Sequence, residues 1–181
     1  LFSLDMPEKT AVCILADKEE IGSVGISGMQ SHYFEHFMEG LCDAQGVKLS
    51  DCFANSFCLS ADVSNAFDPN WPETCDKRNN SQLNYGVAIC KYTGSRGKGG
   101  ASDASAEAMG HVRSTLDKAG VIWQIATLGK VDQGGGGTVA NRNIVTVDAG
   151  VPVLSMHAPL ELVSKLDCYE TMLACKAIYL A

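Results

Sequence analysis

An α/β domain is the fold class this sequence predicts, and three observations lead there. Short apolar runs of strand length alternate with longer stretches in which apolar side chains recur every three or four residues. The 181 residues, 46% hydrophobic and 19% charged, read as one soluble globular domain able to bury roughly 70% of its unfolded surface. Acidic or imidazole side chains stand where three of the apolar runs stop, and α/β sheets collect ligands and catalytic groups beyond their strand ends.

The first run, Thr10-Ala11-Val12-Cys13-Ile14-Leu15, reads as a buried strand. It stops on Ala16-Asp17-Lys18-Glu19-Glu20-Ile21-Gly22-Ser23, where alternating charge meets a turn. Adjacent carboxylates at such a junction can divide their labour, Glu20 binding a divalent metal while Glu19 takes a proton from water. A solvated surface turn is the ordinary alternative for the same pair. Gly22-Ser23-Val24-Gly25-Ile26-Ser27-Gly28 is a flexible bend, and Ser27 or Ser31 stands where it can cap the next helix. In that helix His32, Tyr33, His36, Phe37 and Met38 recur at helical spacing. His32 and His36 form an i, i+4 pair able to chelate a metal, but Tyr33-Phe34-Glu35 between them does not complete H-E-x-x-H. An amphipathic helix with exposed or hydrogen-bonded histidines is the preferred reading.

Residues 52–62 read as a second core strand that again finishes on an acid, Asp62 matching Glu20 in placement. Phe67-Asp68-Pro69-Asn70-Trp71-Pro72 must be loop, because each proline removes a donor and disfavours helix before it, and Asp68 fits an Asx-type turn. Residues 86–91 give a third strand. Residues 92–100 follow as a glycine-rich loop in which Arg96 and Lys98 offer cations to an anionic substrate end, with an ordinary surface loop as the alternative. The loop does not have the order G-x-x-x-x-G-K-[ST]. Residues 103–118 read as a helix with Ala104, Ala108, Met109, Val112 and Leu116 on one side, ended by Gly120. Residues 121–126 are a fourth strand.

Gly134-Gly135-Gly136-Gly137-Thr138 is entropically costly to order. It is either an unordered turn or a place where backbone approaches a ligand closely, which makes Gly136 and Thr138 candidate substrate-binding positions. Val145-Thr146-Val147 and Val151-Pro152-Val153-Leu154-Ser155 read as two short β segments, the second running into Met156-His157-Ala158-Pro159. His157 is thus a third candidate ligand, although a lone histidine is more often simply hydrogen-bonded. Residues 160–180 close the chain as an amphipathic helix whose Leu162, Leu166, Tyr169, Leu173 and Ile178 cover the sheet.

Composition excludes several classes. A net charge of −7, from 14 basic and 21 acidic residues, opposes electrostatic nucleic-acid binding. No apolar run reaches the roughly 18 residues of a membrane span. Eight cysteines without a C-x-x-C pair, three of them inside apolar stretches, point to free thiols in a reducing, cytoplasmic setting. The N-terminus has neither a basic n-region nor a starting Met, and Leu1-Phe2-Ser3-Leu4 reads as the interior of something longer.

Glu20, Asp62 and His157 each follow an apolar strand in this reading, and parallel strands would bring those ends to one rim. Two carboxylates and an imidazole suit zinc, manganese or cobalt and leave Glu19 as general base.

At these residues the chain resembles the M18 aminopeptidases, the aspartyl aminopeptidase and aminopeptidase I group, and most of all the bacterial aminopeptidase I type. The resemblance rests on Asp17-Lys18-Glu19-Glu20-Ile21-Gly22-Ser23, Ser60-Ala61-Asp62-Val63, the stretch from Gly134 to Thr138, and Ser155-Met156-His157-Ala158-Pro159, in that order. It implies a mixed central β-sheet flanked by helices, as in di-zinc exopeptidases, and two divalent metal ions, zinc with manganese or cobalt as alternatives. It also implies that Glu19 is the general base, that Glu20 and His157 bind one ion, and that Asp62 binds the other. The implied reaction removes an N-terminal residue from a peptide by attack of metal-activated water, in a large homo-oligomer, a dodecamer. The family's His-x-Asp motif, bridging aspartate and dimerisation insertion have no counterpart before Asp17, so the chain reads as the C-terminal part of one α/β catalytic domain, residues 1–181. Asn65 and Asp68 stand where many relatives have histidines, and the segment before Asn141-Arg142 is a few residues short. Two other functions fit the same residues: another metal hydrolase of the wider fold, a deacylase or carboxypeptidase, and a catalytically silent assembly domain.

Overall fold

The computed structural model describes residues 1–95, 99–127 and 142–181. Two compact units divide the chain, one of Leu1–Ala11, Leu59–Gly137 and Thr146–Ala181, the other of Val12–Cys58 and Thr138–Val145. In chain order the elements are α1 (Tyr33–Gln45), α2 (Leu49–Ala54), β1 (Phe57–Asn65), β2 (Val87–Cys90), β3 (Tyr92–Ser95), β4 (Gly99–Asp103), α3 (Ala106–Ala119), β5 (Trp123–Ala126), β6 (Val145–Leu154), β7 (Leu162–Val163) and α4 (Lys165–Tyr179). No helix among the described residues is long and apolar enough to cross a membrane.

The first unit is built on a mixed sheet of order β1-β6-β2-β5, with β7 beside β6. Strand β2 runs parallel to β5, Val87 opposite Trp123, and antiparallel to β6, Ala88 opposite Gly150. All four β2 residues are buried, as a strand covered on both faces requires. Helix α3 buries Ala108, Met109, Val112 and Leu116, the stripe its sequence spacing predicts. The Ser105 hydroxyl caps it by accepting from the Ala108 amide at 3.1 Å, and Gly120 closes it.

Helix α4 departs from its expected face, of which Leu173 and Ile178 are half-buried while Leu166 and Tyr169 are exposed. Asp167, Glu170 and Ala174 are its buried residues, while Leu166, Tyr169 and Met172 are exposed. The buried carboxylates have work to do on irregular backbone. Asp167, fully buried, accepts from the amides of Asn84 at 2.7 Å and Gly86 at 2.8 Å, and Glu170 accepts from the Ile122 amide at 2.8 Å. Gly86 has φ +84°, and a Cβ there would meet the Ile122 carbonyl oxygen at 2.0 Å, so only glycine fits this turn.

The second unit gathers α1 and α2 around Met38, Phe53 and Ile144, with Phe34, Leu41 and Leu49 packed against them. The rings of Phe34 and Phe53 stack with centroids 5.8 Å apart.

Five sequence expectations change. Residues 11–16 join no ladder, and Asp17 makes only a single bridge to Gly28; Leu15 is 92% exposed. An apolar run becomes a strand only when a neighbour takes its hydrogen bonds. Residues 52–54 belong to α2, because Leu49, Cys52 and Phe53 repeat with helical spacing toward the core, and β1 then runs through Asp62 to Asn65. The glycine-rich stretch after Lys91 contains the antiparallel pair β3 and β4, in which Tyr92 faces Asp103, with Arg96 and Lys98 outside the described residues. The two β segments near 150 are one strand, β6. Leu162 lies in β7, and Leu162, Leu166 and Tyr169 are exposed rather than packed on the sheet. The turn at Asp68 forms as expected, its carboxylate accepting from the Asn70 amide at 2.8 Å.

Asp167→Ala would leave the buried Gly86 amide and the part-buried Asn84 amide without an acceptor. The expected loss is about 3 kcal/mol in urea unfolding, with Asp167→Asn intermediate because it keeps one acceptor oxygen. Cys90, at the centre of the sheet, has its thiol pushed up to about 12 by burial and by the Asp148 charge. Iodoacetamide at pH 8 should therefore modify the exposed Cys13 and Cys168 and leave Cys90 unlabelled until the protein is unfolded, since Cys90 is buried and its thiol is held protonated at that pH.

Candidate active site

Glu19 and Glu20 open a 3-10 turn, Glu19–Ile21, that is closed at both ends by left-handed backbone, Lys18 at φ 61° and Gly22 at φ 87°. Both carboxylate residues are exposed. The amides of Ile21 and Ser23 donate to the Lys18 carbonyl at 3.3 and 2.7 Å, and the Gly22 amide donates to that of Glu19 at 2.9 Å. Ser23, itself left-handed at φ 57° and almost fully buried, anchors the loop from inside. A Cβ on Gly28 would sit 2.1 Å from the Ser23 carbonyl oxygen, so the return strand of the loop passes where no side chain fits.

Three polar side chains brace this loop. The Ser27 hydroxyl donates to Asp17 Oδ2 at 2.7 Å, and Lys18 Nζ lies 3.2 Å from the same oxygen. Ser27 is thus spent on Asp17, and the Ser31 hydroxyl is the one that accepts from the first amide of α1, that of Tyr33, at 3.3 Å. Gln30 donates through Nε2 to the Gly22 carbonyl at 2.5 Å and through its amide to that of Ser23 at 3.0 Å. The Ser27 hydrogen bond, then the Lys18 side chain, hold the Asp17 carboxyl below its ordinary value of 3.8.

Helix α1 carries the histidine pair. His32 Nδ1 pairs with Glu35 Oε2 at 2.7 Å, and the His32 and His36 rings stack with centroids 6.3 Å apart. That hydrogen bond, helped by the Arg142 charge, holds the Glu35 carboxyl below its ordinary value. The pair belongs to a helix surface, as the sequence reading prefers.

In the first unit Asp62 lies within β1 rather than at its end, exposed, its Oδ1 accepting from the Val63 amide at 2.7 Å. His157 follows the end of β6 as expected. It sits in a turn where Ser155 and His157 both adopt left-handed φ, 59° and 66°, and its amide donates to Glu161 Oε1 at 2.5 Å. The parallel strand ends expected to carry Glu20, Asp62 and His157 to one rim do not form, because residues 10–15 form no strand and β6 is antiparallel to β2. Glu19 and Glu20 belong to the second unit, Asp62 and His157 to the first. Among the described residues no group of three His, Cys, Asp or Glu side chains forms a ligand cluster. As a donor set, two carboxylates and an imidazole match the oxygen and nitrogen ligands zinc accepts. Lys98, Gly136 and Thr138 lie outside the described residues.

The sequence reading missed Gln30, Glu161 and Arg142. Glu161 and Gln30 act within four and eight residues of their partners, whereas Arg142 reaches Glu35 across 107 positions, where no local signal could identify it.

Comparison with known proteins adds a separate line of argument. The family model described as aminopeptidase I zinc metalloprotease (M18) matches residues 2–179. A probable M18 family aminopeptidase 1 of Clostridium acetobutylicum is 50% identical over 172 residues, covering 91% of this chain and 37% of that protein. The crystal structure of an M18 aminopeptidase from Thermotoga maritima superposes with a TM-score of 0.84 at 42% identity, covering 91% of this chain and 38% of the other. The mApe1 dodecamer of S. cerevisiae, 24% identical with a TM-score of 0.74, shares the fold over 91% of this chain and 36% of its own. The chain therefore spans about two fifths of the length of the relatives it matches.

The Asp17 brace has a pH signature. A carboxyl held below its ordinary value contributes stability that is fully present above 3.8 and is lost as the pH falls through the lower folded value. Ser27→Ala removes the strongest of these donors, so the carboxyl resonance of Asp17, followed by NMR, should titrate at higher pH than in the parent. An unchanged midpoint would separate Ser27 from the brace.

Proposed function

Because this chain belongs to the M18 family of aminopeptidase I zinc metalloproteases, we propose that it forms part of a metalloaminopeptidase in which Glu19 is the general base. Glu20 and His157 hold one divalent ion and Asp62 the second, with zinc as the metal. The observation that carries this reading is the braced, exposed turn of Glu19 and Glu20: two carboxylates on backbone that is held by left-handed residues and by Ser27 and Gln30 rather than left to solvent. Strained backbone of this kind persists where function requires it, and Ser155 and His157 share the feature.

When bound, the metal ions supply Lewis-acid polarisation of the scissile carbonyl. The chain's own residues do the rest. The Glu19 carboxylate accepts a proton from the attacking water and delivers it to the leaving amine. Keeping Glu20 as a ligand and Glu19 free of the metal requires that the turn aim the two side chains apart, which adjacent positions on a 3-10 turn do by about 120°. Glu161, bonded to the His157 amide, fixes the turn that presents the imidazole. A free peptide amino terminus is the substrate end, and Arg96, Lys98, Gly136 and Thr138 are the proposed substrate-side positions. The eight free thiols favour a reducing, cytoplasmic location, and a homo-oligomer, as in the yeast dodecamer of the same fold, is the proposed assembly.

Glu19→Gln should retain zinc and lose about a thousandfold in turnover of an unblocked peptide. Near-parental turnover would remove Glu19 from the role. Cleavage of amino-blocked peptides in preference to free ones would favour a deacylase or carboxypeptidase, and a protein that binds no metal and loses no function on Glu20→Ala or His157→Ala would favour a silent assembly domain.

A further inference from the structure

We propose that Gln30 and Arg142 are positioning residues, a relay that sets the direction in which Glu19 and Glu20 leave the chain; this rests on the reading of that turn as carrying the general base and a metal ligand. The relay begins at the turn itself. Gln30 takes two successive carbonyls, those of Gly22 through Nε2 at 2.5 Å and Ser23 through its amide at 3.0 Å. The amides of the same two residues are tied to the carbonyls of Glu19 and Lys18. Residues 22 and 23 are therefore held on both their donor and acceptor sides, and holding them fixes the turn before them.

Arg142 holds Gln30. One guanidinium nitrogen donates to the carbonyls of Met29 and Ser31, the latter at 3.2 Å, which flank Gln30 on either side. Another nitrogen pairs with Glu35 of α1, and the guanidinium lies over the Phe34 ring, 5.5 Å from its centroid. Phe34 packs against the core of the second unit. Arg142 thus connects a packed aromatic and a helix to the loop that braces the carboxylates, and its side chain is only 12% exposed. A planar fork does this where a lysine, a point charge, cannot. The sequence gives the arginine no evident task, and its described contacts are Glu35, Phe34 and the carbonyls on either side of Gln30, so its proposed action is through Gln30.

Two variants test the relay in the full chain. Gln30→Met keeps the size of an exposed side chain and removes the donor to Gly22; Arg142→Lys keeps the charge facing Glu35 and removes the fork. In each, amide exchange at Gly22 and Ser23 should quicken about tenfold while Ile89 in the sheet stays protected, and kcat on an unblocked peptide should fall about tenfold with KM within about twofold. Should Arg142→Lys fail to fold, Gln30→Met carries the test. Parental exchange at Gly22 and Ser23 in Gln30→Met overturns the relay, as does parental kcat with a loosened turn. Glu19→Gln, measured alongside, separates the two ideas: if it keeps turnover the assignment of the base falls and the relay's role with it, and if it is inactive while Gln30→Met is fully active, the relay alone falls.

Discussion

A backbone amide or carbonyl outside a regular ladder must still find a partner, and in this chain side chains from distant segments provide it. In the first unit the partners are carboxylates. Asp167 receives the amides of Asn84 and Gly86, and Glu170 receives that of Ile122, so one helix pins the approach to β2 and the approach to β5 together. In the second unit the partners are donors. Gln30 and Arg142 satisfy four carbonyls between Gly22 and Ser31, the stretch that follows the acidic turn.

The same requirement explains the buried face of α4. Leaving the buried Gly86 amide and the part-buried amides of Asn84 and Ile122 unpaired would cost more than exposing three apolar side chains, because a desolvated donor without a partner carries its desolvation penalty whereas an exposed leucine or methionine forgoes only its own transfer term. Leu166, Tyr169 and Met172 therefore face outward while Asp167 and Glu170 are buried. A hydrophobic stripe read on a helical wheel cannot anticipate this, since the demand arises in turns about 80 and 50 residues upstream.

Left-handed backbone is distributed unevenly. Of the seven non-glycine residues with positive φ among those described, Lys18 and Ser23 bracket the acidic turn, and Ser155 and His157 form the turn after β6. Each such residue is strained by about 1 kcal/mol or more and survives only where its surroundings over-determine it. The over-determination is visible at the first turn in Ser27, Gln30 and the close approach of Gly28, and at the second in Glu161.

By itself the sequence determined the fold class, the strands at 87–90 and 123–126, helix α3 with its buried stripe, the Asx turn at Asp68, and the family motifs on which Glu19, Glu20, Asp62 and His157 were singled out. These features are local, set by periodicity, capping and turn chemistry within a few residues. Only the tertiary structure decided that residues 10–15 form no strand, that residues 145–154 form one strand and not two, that α4 turns its carboxylates inward, and that Arg142 donates to the carbonyls of Met29 and Ser31. For α4 and Arg142 the partners lie about 50 to 110 residues along the chain, and for residues 10–15 no neighbouring strand takes up the hydrogen bonds; neither circumstance leaves a trace in the spacing of nearby side chains.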